Sequence, residues 1–128
     1  MINFWLGPFS KQELSIAFGI DSALHFAENL KEIQRCNVKR KLEAIRTFRI
    51  NSSQAWIDLS HSSENNDVLN FRGSCIDINL SKDAIEHALF KIEKFLEEGD
   101  FSPPEYYSFD TNISKKRINV FFVRNDNF

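Results

Sequence analysis

The sequence predicts an α+β fold, a single domain over residues 1–128 in which an antiparallel sheet of about five or six strands packs against two main helices. Three observations lead there. Two stretches place apolar residues at helical spacing, several short segments alternate or are apolar on both faces like strands, and thirteen phenylalanines supply a large core for a chain of 128 residues. That length suits one core rather than two.

In chain order, residues 2–6 (Ile-Asn-Phe-Trp-Leu) read as a short strand stopped by Gly7-Pro8. Ser10-Lys11-Gln12-Glu13 then has the pattern of a helix capping box, with Phe9 and Leu14 placed as a hydrophobic staple. Residues 15–20 alternate like a strand instead, so helix and strand both stay open for 10–20. From Asp21 the pattern is clearer. Asp21 or Ser22 is placed to cap a helix that puts Ala23, Phe26, Ala27, Leu30 and Ile33 on one face and ends near Cys36-Asn37.

Three strand-like stretches follow, at 38–50, 54–60 and 68–80; the first has enough good helix formers to begin as a helical turn. Between the second and third, residues 61–67 (His-Ser-Ser-Glu-Asn-Asn-Asp) read as a mobile polar loop. The strongest helix spans 81–98, with Ile85, Ala88, Leu89, Ile92, Phe95 and Leu96 in one stripe and Gly99 as its stop. Pro103-Pro104 prevents continuation, and 105–110 with 117–124 read as a closing hairpin whose second strand is central.

Composition narrows the function classes. A net charge of −2 does not by itself imply nucleic acid or a membrane surface. No apolar run approaches a membrane span, and the N-terminus lacks the basic region of a signal peptide. Cys36 and Cys75 lie far apart without metal or redox spacing, which fits reduced thiols in a cytoplasmic protein, although a single disulfide between them stays open. His25, His61 and His87 sit at no ligand spacing, and the four glycines form no phosphate loop. His25 is expected to pack at the edge of the first helix's buried face, and His87 to face solvent. The expectation is therefore no catalytic residue, no cofactor and no metal.

Charge is patterned more tellingly than it is summed. Residues 31–49 carry seven bases against two acids, and residues 83–110 carry eight acids against two lysines. Such runs are ordinarily solvated faces; here they also describe a dipolar surface able to steer a charged partner. The basic run has only Phe48 beside it, too little aromatic interleaving for a nucleic-acid surface. The acidic run is the better interface. Glu97, Glu98, Asp100, Phe101, Glu105, Tyr106, Tyr107, Phe109 and Asp110 combine carboxylates with aromatics in a proline-stiffened segment, the usual makeup of a binding hot spot. The same aromatics are equally suited to closing the core beneath the second helix.

In type, a compact and mildly acidic α+β domain with an acidic-aromatic segment, carried by residues 97–107 (Glu-Glu-Gly-Asp-Phe-Ser-Pro-Pro-Glu-Tyr-Tyr), resembles the bacterial immunity proteins of contact-dependent growth inhibition. That resemblance implies a cytoplasmic inhibitor, monomeric when unbound, that neutralises one cognate protein toxin, often a nuclease, by covering its active site or a neighbouring surface. It implies no nucleic-acid or membrane partner. The order helix, three strands, helix, two strands also resembles the type III secretion chaperones, which implies a homodimer that binds an effector. A small enzyme built around His61 or a cysteine is the third reading.

Overall fold

The computed structural model describes residues 1–7 and 12–125. Ten elements succeed one another: β1 (Ile2–Leu6), β2 (Glu13–Phe18), α1 (Ile20–Cys36), β3 (Arg40–Phe48), β4 (Asn51–His61), β5 (Val68–Arg72), β6 (Cys75–Leu80), α2 (Lys82–Glu98), β7 (Glu105–Phe109) and β8 (Ile118–Arg124). The fold is α+β with two helices, as the periodicities imply. Its sheet differs from the expected one. Eight strands lie in the order β5-β6-β4-β3-β1-β2-β8-β7, and three of the pairings are parallel: β1 with β3, β2 with β8, and β4 with β6.

Two features account for the extra strands. Residues 13–18 form a strand that pairs with β1 antiparallel and β8 parallel, which settles the open choice in favour of the alternating pattern. The proposed cap at Ser10 and staple at Phe9 lie outside the described residues. The stretch 68–80 is a hairpin, turned at Gly73, whose φ of 61° is costly for a residue with a side chain. Parallel pairs arise where other elements intervene between the paired strands: β2 and α1 between β1 and β3, both helices between β2 and β8, and the edge strand β5 alone between β4 and β6.

The sheet curls until its two edges meet, giving a nearly closed barrel. Val68 on β5 bridges Asp110 just beyond β7; the Leu69 N–H donates to the Asp110 carbonyl at 2.8 Å, and the Asp110 N–H donates to that of Asp67 at 3.0 Å. Asn112 continues the seam with its side chain, accepting from the Phe71 N–H at 2.9 Å and donating to the Phe71 carbonyl at 3.0 Å. Strand twist accumulating over eight strands brings the edges round, and side-chain amides complete what the backbone leaves unpaired.

Alternation gives each strand one inward row. Ile2 and Phe4, Leu14 and Ile16, Leu42 and Ala44, Ile57 and Leu59, Ile76 and Ile78, and Val120 and Phe122 all bury there against the helices. The apolar stripes of α1 and α2 enter the same core. Phe18 lies among Phe26, Phe101 and Phe122 at centroid distances of 5.0–6.0 Å, and Phe95 stacks on Phe101 at 4.3 Å. Most of the phenylalanine excess is thus an aromatic core.

Caps fix the helices that frame the candidate site. Ser81 accepts from the Ala84 N–H at 3.2 Å, while Asp67 accepts from both the N–H and the hydroxyl of Ser81 at 2.8 and 3.1 Å. Residues 61–67 are accordingly built into the fold at both ends, because Ser62 is buried and accepts from the Asn66 N–H. Gly99 ends α2 at φ 82°, and Asn37 ends α1 at φ 53°. The N-cap of α1 is Gly19 rather than Asp21 or Ser22, with the Ser22 hydroxyl accepting from the Gly19 N–H at 2.9 Å.

Candidate functional site

The acidic-aromatic segment divides by burial. Phe101 and Phe109 are buried, and so is Tyr106, whose hydroxyl donates to the Ala84 carbonyl at 2.6 Å and whose ring stacks on Phe122 at 4.2 Å. Burial raises the Tyr106 phenol well above the usual tyrosine range. These three rings close the core beneath α2. Tyr107 is half-buried, packed against Tyr106 and Phe109. Glu97, Glu98, Asp100, Glu105 and Asp110 remain exposed.

The exposed carboxylates do not form one patch. Glu97, Glu98 and Asp100 gather at the C-terminal end of α2, and Asp100 lines a small cleft with Glu105, Phe90 and Lys94. Asp110 stands at the far end of β7, about 16 Å from Glu105 at the usual rise of a strand. There it pairs with Arg117 at 4.0 Å and its backbone joins the barrel seam.

Sequence reasoning missed the aromatic that is available. Phe90, whose place beside the apolar stripe of α2 suggests a core or near-core residue, is 58 % exposed. Helical spacing places it on the outward face of α2 in line with Glu86, Glu93 and Glu97, all exposed. Its ammonium neighbour Lys94 approaches the ring at 5.9 Å. The signal was present in the sequence, since residue 90 lies off the stripe of 85, 88, 92 and 95. His87 is exposed as expected and stacks on Tyr106 at 5.8 Å, where desolvation, with Lys91 adding to it, lowers its pKa. His25 is exposed rather than packed, and His61 ends β4 opposite Leu80.

A second constellation lies on the outer face of the sheet. Parallel register sets Asp58 beside Asp77 and Trp56 beside Cys75, and antiparallel register sets Arg72 beside Cys75. Arg72 donates to both Asp77 oxygens at 3.0 and 3.1 Å and to Asp58 Oδ2 at 3.2 Å. Its hydrogen bonds hold the Asp77 carboxyl below the usual carboxylate range. Asp58 Oδ1 is buried with no hydrogen-bond partner. Donor atoms of Asp58, Cys75 and Asp77 lie within 4.8 Å of one another, a spacing a metal ion could bridge, and the Arg72 guanidinium now stands beside them as the counter-ion. Burial and the two carboxylates push the Cys75 thiol up to about 11, so it stays protonated at neutral pH and is a poor nucleophile. Cys36 is exposed, and both thiols are free.

The same outer face carries a surface groove of about 760 Å³ lined by Asn3, Trp5, Ile45, Thr47 and Phe48. Register pairs Asn3 with Ile45, so strand alternation explains why Asn3, Trp5, Ile45 and Thr47 share a face, and Phe48 joins them at the end of β3. The Arg49 guanidinium lies over the Phe48 ring at 5.4 Å. No helix among the described residues is long and apolar enough to cross a membrane. No family model matches the chain, and neither a curated protein nor a solved structure matches it.

Proposed function

We propose that this chain is a bacterial immunity protein that binds one cognate toxin and neutralises it, working in the cytoplasm as a monomer until the complex forms. The observation that carries this reading is Phe90, 58 % exposed on the outward stripe of α2 among Glu86, Glu93 and Glu97. An aromatic anchor set among carboxylates suits a basic protein surface, as toxins that cut nucleic acid present around their active sites.

The position of Glu97 and Glu98 supports it. They occupy the C-terminal end of α2, where the helix dipole favours cations, and no base lies in that last turn. Two carboxylates there oppose local stability, so a role in recognition accounts for them better than a role in folding. Carboxylates on this face would pair with the lysines and arginines with which a nuclease holds phosphate. Whether the toxin's active site or an adjoining surface is covered depends on where its basic patch lies.

Growth protection tests the reading. Cells producing the toxin domain encoded directly upstream of this gene should stop growing, and co-expression of this chain should restore growth. Co-expression of the variant carrying Phe90→Ser, Glu93→Lys and Glu97→Lys should not. Failure of the unaltered chain to protect would reject the immunity function, while protection by the variant would reject only the face.

A further inference from the structure

Among the described residues, Lys91 is the one charged side chain that is buried, at 7 % exposure. Its ammonium donates to the Pro103 carbonyl and makes no ion pair, which leaves two N–H donors for a buried cation. A buried charge without a counter-ion is costly, and the usual remedy is an acceptor placed against it. Lys91 lines a cleft of about 110 Å³ between α2 and the loop leading to β7, whose Pro103 accepts from the ammonium. Phe90, Phe101 and His87 wall the cleft, and Lys94 and the Ser102 residue stand at it as further polar groups.

We propose that this cleft is a binding subsite for a small oxyanion, a carboxylate or phosphate group held by Lys91. A cleft of about 110 Å³ lies well below the roughly 300–1,000 Å³ of sites for whole drug-sized ligands and cofactors, which suits a small group. The two carboxylates at the cleft, Asp100 and Glu105, do not already serve as the partner. Asp100 accepts from the Phe101 N–H at 2.8 Å, and neither is within ion-pair distance of Lys91. Both are exposed residues, whereas Lys91 is a buried one. Desolvation, with Lys94 adding to it and Glu105 opposing it, lowers the Lys91 pKa, so an anion that binds there must raise it. The subsite does not depend on the toxin reading, because free anions probe it.

The test is NMR of the full chain with ¹⁵N-labelled lysine, titrated separately with sodium acetate and inorganic phosphate against sodium chloride at matched ionic strength. The Lys91 Nζ resonance should move saturably with acetate, phosphate or both, and its titration should shift to higher pH in the bound state; which anion acts identifies the chemistry. In Lys91→Met, which keeps the aliphatic stem, the backbone amides of Phe101 and Glu105 should show binding weakened at least tenfold. Lys94→Met should weaken it less. Responses no larger than those to chloride, or saturable binding kept in Lys91→Met, would overturn the proposal.

Discussion

Single residues set the chemistry of the outer face. Cys75 carries its proton because it is buried and lies beside the carboxylates of Asp58 and Asp77, with a pKa pushed up to about 11. At pH 8 only about one thiol in a thousand would then be thiolate. A disulfide-exchange reagent should therefore label Cys36 promptly and Cys75 only after denaturation; prompt labelling of both in the folded protein would show that the thiol is not held this way. Asp77 supplies the acid-side counterpart. Its folded pKa lies below the unfolded value because Arg72 hydrogen-bonds to it, so its contribution is present above the unfolded pKa and is lost as pH falls through the folded one. Arg72→Met should flatten the acid limb of a stability–pH curve measured by denaturant unfolding. An unchanged acid limb would mean the pair contributes little, as exposed pairs often do.

At the scale of elements, the seam between β5 and β7 is the most exposed dependency. Asn112 alone supplies two hydrogen bonds to the Phe71 backbone, an extension of the sheet made by a side chain. Asn112→Ala should cost about 1–2 kcal/mol. Hydrogen exchange at the Phe71 and Leu69 amides should quicken while the β3–β4 pairing is unaffected. Exchange unchanged at both amides would place the closure elsewhere.

The helices were legible in the sequence because their apolar stripes and Gly99 are local signals. The β5–β6 hairpin was less so. Residues 68–80 read as one strand-like stretch, and a lone Gly73 gives weak notice that the chain reverses. Parallel pairings such as β2 with β8 join residues about a hundred positions apart, which no local pattern reports. Burial divided the candidate site in the same way. Glu97, Glu98 and Asp100 were readable as a solvated acidic end, whereas Phe101, Tyr106 and Phe109 could be assigned to the core only once β7 was seen beneath α2.

Across the whole molecule, the aromatic content that looked like surplus is largely spent inside, and what remains outside is concentrated. Phe90 with its acidic stripe lies on α2, and Phe48 beside Arg49 lies at the tip of the β3–β4 hairpin. The acidic face carries the proposed function, and a chaperone-type homodimer would instead use an apolar face. Titration calorimetry against the product of the adjacent upstream gene, which the proposed function takes to carry the toxin domain, tests the central claim most directly, comparing the unaltered chain with the folded Phe90→Ser, Glu93→Lys, Glu97→Lys variant. The account predicts tight, salt-sensitive binding by the unaltered chain and a loss of at least roughly a hundredfold in the variant, about 2.7 kcal/mol. Equal affinity of the two proteins would contradict it.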